Sequence, residues 1–431
     1  MAGETRLAKE LNKLIVMPYF WQRFISLSLL IFGDEFARIF VKSNGFIPFL
    51  AVTAVSLICF IVFETLALKK LKIKPSSCVF SKQIMVLWIS FALICLISEL
   101  IHGIPLNSLI LLFFLPVFVL MGQEENFFNF FLFSCGFTVL ALIVTGFVFY
   151  PLTDNNFSLS TATFIPIILC ALAWVLLNQK KFYTSMFVFF TLLAAGLLFL
   201  SGVSGGRTGF LTIISTVFLF IIAVLIKFIS AKKNIFYKNR TINFAIILCV
   251  IILISLTVSG AIVIDSLYEV PKDIESIENK TILDKFYTSL NNGNPLSNRG
   301  MIWKYTFDNI KLFGNGPNFY TSAEILTPDQ NSAHNAYLAV LGHFGIIAFA
   351  LFTVFCVIML ILSVRYGLSA RRLYIFPFTV FTAFFVGGIT EDLLIAYSPR
   401  AFALLFYAAC AYLIIIEGQR ENRTSVTRAE L

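Results

Sequence analysis

Long apolar runs, separated by short charged connections, make up most of the chain. A helix that crosses a bilayer needs about 20 mostly apolar residues. Runs of roughly that length fall at 20–40, 46–68, 83–101, 105–121, 126–149, 160–177, 183–201, 208–229, 242–264, 335–363, 373–389 and 400–417. The pattern predicts an all-α polytopic membrane protein of about twelve transmembrane helices. Asp34 and Glu35 interrupt the first run, which is expected to end near Gly33. Residues 1–19 read differently. Leu7, Leu11, Leu14 and Ile15 recur at helical spacing beside Arg6, Lys9 and Lys13, as in an amphipathic helix lying on the inner face. No small-residue cleavage site follows a short apolar core, so no cleavable signal is expected.

The basic residues orient these spans. Lys69, Lys70, Lys72, Lys74 and Lys82 lie between runs two and three, and Lys180 and Lys181 between six and seven. Lys227, Lys232, Lys233, Lys238 and Arg240 lie between eight and nine, and Arg365, Arg371 and Arg372 between ten and eleven. Each is an even-to-odd connection, on the side of the N-terminus. Arg420, Arg423 and Arg428 put the tail there too. The positive-inside rule then makes both termini cytoplasmic.

The opposite side holds one long polar segment, 265–333, a large outer (periplasmic) loop between spans nine and ten. It begins acidic, with Asp265, Glu269, Asp273, Glu275 and Glu278. Two amphipathic stretches follow: Thr281 to Leu290, and Asn298 to Phe313. In the second, Ile302, Thr306 and Ile310 share a stripe with Trp303 and Phe307 beside it. Gly314-Asn315-Gly316-Pro317-Asn318 is a turn. The reading is a single membrane domain, 1–431, with 265–333 as a partly helical cap over the active site.

Composition narrows the class. Of 431 residues 59% are hydrophobic, 50 are Phe and 13% are charged, too much apolar surface for a soluble fold. The net charge of +9 is accounted for by cytoplasmic loops against anionic lipid, so no nucleic-acid partner is expected. Seven of the eight cysteines lie in apolar runs and Cys78 in a short basic loop, with no Cys-x-x-Cys. Neither disulfides nor a thiolate metal site is expected.

Few polar residues then remain for chemistry on the outer side. Arg207 lies in Ser204-Gly205-Gly206-Arg207-Thr208-Gly209, where span eight begins. Glycines permit close approach, and free N–H groups at a helix start beside a guanidinium suit an anion. The plainer alternative is a snorkelling arginine in a Gly-rich turn. Arg299 opens the second amphipathic stretch and, taken alone, reads first as a solvated arginine on a loop helix. His334, in Asn331-Ser332-Ala333-His334-Asn335-Ala336-Tyr337, stands where the polar loop meets an apolar run. Imidazole is the side chain suited to taking a proton from a hydroxyl at neutral pH, though a histidine at a helix start can also be merely flanking. His343, nine residues on, falls on the other side of a helix, so the two are not expected to share a metal. His102 reads as interfacial. Glu391 and Asp392 precede Arg400 in the last outer loop. They read either as an ion pair anchoring that loop or as a carboxylate that orients His334 or a sugar hydroxyl.

Together these residues resemble the O-antigen polymerase and O-antigen ligase superfamily of bacterial membrane glycosyltransferases. The likeness rests on Ser204–Gly209 leading into a helix. It rests also on Arg299 with Trp303 and the following Phe313-Gly314-Asn315-Gly316-Pro317, and on His334-Asn335-Ala336-Tyr337-Leu338 with Gly345. Ala348 stands where the family often has a second glycine. The resemblance implies a donor glycan on polyprenyl (undecaprenyl) diphosphate, with Arg207 and Arg299 binding the diphosphate and His334 as base toward the acceptor hydroxyl. Asn335, Arg400, Asp392 and Glu391 are candidate supporting residues. The implied reaction inverts the anomeric centre and needs no metal or other cofactor. Implied partners are the lipid-linked donor, a glycan or lipid acceptor, membrane lipid and a chain-length regulator, at the bacterial inner membrane with the site facing the periplasm. The motifs serve a polymerase of repeat units or a ligase to lipid A-core alike. A flippase for the same lipid-linked units and a non-catalytic scaffold are the readings from other classes.

Overall fold

The computed structural model describes residues 20–36, 46–70, 78–103, 106–124, 127–149, 212–222, 299–320, 332–367, 375–392 and 401–429, with a few helical positions in 165–169 and 189–196. Every element among them is helical. In chain order they are α1 (Phe20–Phe36), α2 (Phe46–Lys70), α3 (Lys82–His102), α4 (Leu106–Met121), α5 (Phe127–Phe149), α6 (Thr212–Ile222), α7 (Arg299–Asp308), α8 (Ala336–Gly367), α9 (Ile375–Thr390) and α10 (Ala401–Ala429). These fall on the predicted runs wherever the runs are described. One boundary differs. The first helix continues past Gly33 through Asp34 and Glu35 to Phe36, because both acids are compatible with a helix at its polar end and neither breaks the backbone pattern. The stretch Thr281 to Leu290 and the run 242–264 lie outside the described residues.

The helices α3 and α8, together with residues 402–423 of α10, are long and apolar enough to cross a membrane. Their outward residues agree. On α3 Val86, Ile89, Leu93, Ile97, Leu100 and Ile101 are exposed, a stripe at helical spacing. Ile346, Val354, Val357, Ile361 and Val364 do the same on α8. Such stripes are stable facing lipid and not facing water.

Helices α1 to α5 and α8 to α10 run alternately between two ends. At one end Arg23 of α1 pairs with Glu64 of α2 and with Glu124 just after α4. Gln123 bonds both backbone groups of Val79, before α3. Ser81 Oγ donates to Glu421 of α10 at 2.8 Å, and Tyr366 of α8 donates to Glu417. At the other end lie the last turn of α3, the start of α8 and the end of α9. The core between them is aromatic. Trp88, fully buried, lies 4.7 Å from Phe355 and 5.9 Å from Tyr407 between ring centroids, and its indole N–H donates to Leu111 O at 3.0 Å. Phe384 and Phe406 lie 4.3 Å apart. Phenylalanine brings large area and no polar atom needing a partner, so α3, α8, α9 and α10 can close on each other tightly. That rigid core fixes where α8 begins and α9 ends.

Candidate active site

The short helix α7 packs on the start of α8. Ile302 and Thr306 are its buried side, against Tyr320, Leu338 and Ala339. Thr306 Oγ1 lies 3.0 Å from the Tyr320 hydroxyl, which donates to Leu338 O at 3.1 Å. Burial pushes the Tyr320 phenol up, the Thr306 contact opposes this and the charge of nearby Asp392 adds to it, so the hydroxyl keeps its proton. The predicted stripe holds for Ile302 and Thr306 but not for Ile310. The helix ends at Asp308, so Ile310 leaves the helical register and is 42% exposed, as Phe307 is at 55%. Trp303 Nε1 donates to Ala333 O at 3.2 Å and fixes the chain just before His334.

Asn335, not His334, caps α8. Its Oδ1 accepts the backbone N–H groups of Tyr337 and Leu338 at 3.0 and 2.9 Å, and its Nδ2 donates to Ile389 O of α9 at 3.0 Å. Such a cap is worth about 1 kcal/mol. His334 sits one residue outside the helix with φ +44°. This left-handed conformation costs a residue with a Cβ about 1 kcal/mol or more. It is held by the cap after it, the tryptophan contact before it and a bond from its own N–H to Ser332 Oγ. In this conformation the imidazole reaches the end of α9.

There it meets Glu391. His334 Nδ1 lies 3.3 Å from Glu391 Oε2, and Arg299 Nη2 lies 3.2 Å from Glu391 Oε1. One carboxylate thus joins the two predicted residues, which are 35 positions apart, through a third that is 57 beyond His334. A carboxylate can only accept, so the histidine contact places a hydrogen on Nδ1 and turns the other ring nitrogen, Nε2, away from Glu391. Arg299 engages Glu391 with Nη2, and a guanidinium has further N–H donors to offer an anion. All three side chains are between 21% and 29% exposed, accessible yet held. Ion pairs so exposed contribute at most about 1 kcal/mol to stability, so the arrangement does little for the fold itself. Glu391→Gln keeps size and hydrogen bonding but loses charge. It is expected to lower turnover about 10–100-fold, as replacing the carboxylate that orients a metal-bound histidine does, with KM nearly unchanged in steady-state assays of the purified protein.

Behind the histidine, α8 is broken. Gly345 has φ 88° and ψ −178°, which makes α8 two helices in series. The turn after α7 fills the break. Asn315 N–H donates to Gly342 O and Gly316 N–H to His343 O, both at 3.0 Å, and Ile346 N–H donates to Lys311 O at 3.2 Å. His343 Nδ1 donates to Gly316 O at 2.8 Å, and Ser98 of α3 donates to Phe313 O and His343 O. The carbonyls that the break frees are therefore satisfied by the loop. A Cβ at Gly345 would fall 2.3 Å from Gly314 N and 2.4 Å from Leu312 O, and one at Gly314 2.2 Å from His343 O.

Arg299, His334, Asn335 and Glu391 are thus brought together. Asp392 is buried, near enough to Tyr320 for its charge to be felt there. His102 is exposed, with its Cβ packed over Gly316. Arg207 and Arg400 lie outside the described residues. Sequence reasoning left the role of Glu391 open and missed the docking of the turn into α8. Gly345 marks the break, but nothing beside it in the chain shows which segment fills it.

No curated protein matches the chain. Residues 189–353 match the family model described as O-antigen ligase. The matched stretch runs from before Arg207 through Arg299 to just past the break in α8, and so takes in each motif on which the resemblance rests. Over that stretch, less than half of the chain, the protein is similar to the O-antigen ligase family.

Proposed function

We propose that the protein polymerises oligosaccharide repeat units carried on undecaprenyl diphosphate, as an O-antigen or capsule polymerase at the periplasmic face of the inner membrane. The observation that carries this reading is the Arg299–Glu391–His334 junction at the start of α8. Departure of the diphosphate builds negative charge. Arg299, joined by Arg207, binds its oxygens with planar guanidinium forks. His334 Nε2 takes the proton of the acceptor hydroxyl as that oxygen attacks the anomeric carbon from the side opposite the diphosphate, inverting it. Glu391 holds the imidazole in the required tautomer and stabilises the imidazolium that forms. The arginines carry the charge that a metal would otherwise carry, so the reaction is metal-independent. About twelve spans, both termini cytoplasmic and a cap formed by 265–333 complete the picture. A chain-length regulator is a partner consistent with polymerisation.

The second reading is a ligase that moves the finished glycan to lipid A-core, and the description of the matched family favours it. Donor site and base would be the same. The glycan profile of cells lacking the gene separates the two. Surface glycan reduced to one repeat unit per acceptor is the expected result. Long chains that persist on polyprenyl diphosphate and never reach an acceptor would make the protein a ligase. Single units trapped on the inner face would overturn both and point to a flippase.

A further inference from the structure

The loop helix α7 has four sides at 100° per residue, one of them formed by exposed Met301 and by Tyr305, which stacks on Phe319. Ile302 and Thr306 face the protein. Lys304 and Asp308 form a charged crest. Trp303 and Phe307 form the last side, and past the helix end the apolar surface continues in Ile310 and Leu312. Phe307, Ile310 and Leu312 are 55%, 42% and 55% exposed, with Lys311 exposed among them. In a water-facing loop this would be an unusual surface.

Its attachments show what surrounds it. The turn is tied to α3 at Ser98 and to α8 at His343 and Ile346. The neighbours of those anchor points, Ile97, Leu100 and Ile101 on α3 and Ile346 on α8, belong to the apolar stripes by which the spans meet lipid. Leu312 O lies at the break in α8, nine residues into the helix, which is about 13 Å from its first residue at ~1.5 Å per residue. The exposed apolar residues of the loop therefore continue the lipid-facing surface of two spanning helices.

We infer that the turn Lys311–Gly316 is a re-entrant plug set into the bilayer, and that α7 lies on the same leaflet as an interfacial helix. Phe307, Ile310 and Leu312 contact acyl chains, and Lys304 and Lys311 reach phosphate headgroups. Lipid, rather than a second copy or another segment of the chain, is the occupant because the surface is continuous with the spans. The inference does not depend on the reaction catalysed.

Photo-crosslinking in native membranes tests it. Phe307→p-benzoylphenylalanine and Leu312→p-benzoylphenylalanine are compared with the same replacement at Leu100, on the lipid side of α3, and at Asp308, on the crest. Mass spectrometry then identifies the adducts. Phospholipid adducts at 307 and 312, in yield comparable to 100 and absent at 308, are expected. Adducts at 307 and 312 to a second copy or to peptides of the same chain would overturn the inference. So would a lack of adducts there while position 100 still captures lipid.

Discussion

Replacing His334 by alanine is expected to abolish glycan transfer while leaving a folded, membrane-inserted protein. General-base catalysis contributes about 10²–10⁴ in rate, so turnover should fall by roughly that factor under the proposed mechanism. The fold should survive because the cap on α8 is Asn335, with bonds to Tyr337, Leu338 and Ile389 that do not involve the imidazole. Alanine would inherit the positive φ of His334 and its strain of about 1–2 kcal/mol. His334→Gly is therefore a useful second variant. It removes the strain and the base together, so it should be as inactive as His334→Ala and at least as stable. Added imidazole restoring part of the activity of the glycine variant would identify the missing group. Turnover of the purified protein with a lipid-linked donor, read beside thermal unfolding, is the measurement. Full activity in a well-folded His334→Ala protein would remove the histidine from the chemistry.

The largest effect on the fold is expected at Gly345. Alanine there would hold φ 88°, which costs a residue with a Cβ about 1–2 kcal/mol. Its Cβ would also press on three backbone atoms, Gly314 N, Leu312 O and Lys311 O, at 2.3 to 2.6 Å. Backbone pinned by hydrogen bonds cannot step aside as a side chain can, and overpacking of this kind adds about 1–3 kcal/mol. Gly345→Ala should therefore expel the turn from the break, expose the carbonyls of Gly342 and His343, and give protein that aggregates on extraction. Gly136→Ala is the control. It lies inside α5 with nothing within 4 Å of the added carbon and should be neutral or slightly stabilising. Size-exclusion profiles of the two in one detergent decide the matter. A monodisperse, stable Gly345→Ala protein would mean that the turn does not depend on the break.

The apolar runs that become α3, α8 and α10, each long enough to cross a membrane, were legible in the sequence because hydropathy over about 20 residues is a local property. Ile302 and Thr306 were placed correctly by helical periodicity for the same reason. The start of α8 was legible because Asn335 is an ordinary capping residue at the edge of an apolar run. What stayed open depends on pairs far apart in the chain. Glu391 could equally have anchored its own loop to Arg400, and nothing local distinguishes that from reaching back 57 positions to His334. The break in α8 was hidden because Phe344, Ile346 and Ile347 around Gly345 are as apolar as any span, and a single glycine does not announce what will press against it. Ser98 and Tyr320 were missed likewise: each is an unremarkable polar residue until the turn is docked.

The charged cluster at the far end of the bundle bears on how the chain is made. Arg23 is 1% exposed and Glu64 is fully buried, 41 residues later. A buried charge without its partner is costly. As the chain is made, Arg23 meets its first counter-charge only when α2 arrives. Glu124, 101 residues after Arg23, completes the set only after α4. The docking of the first helix is thus tied to the order in which its successors are made.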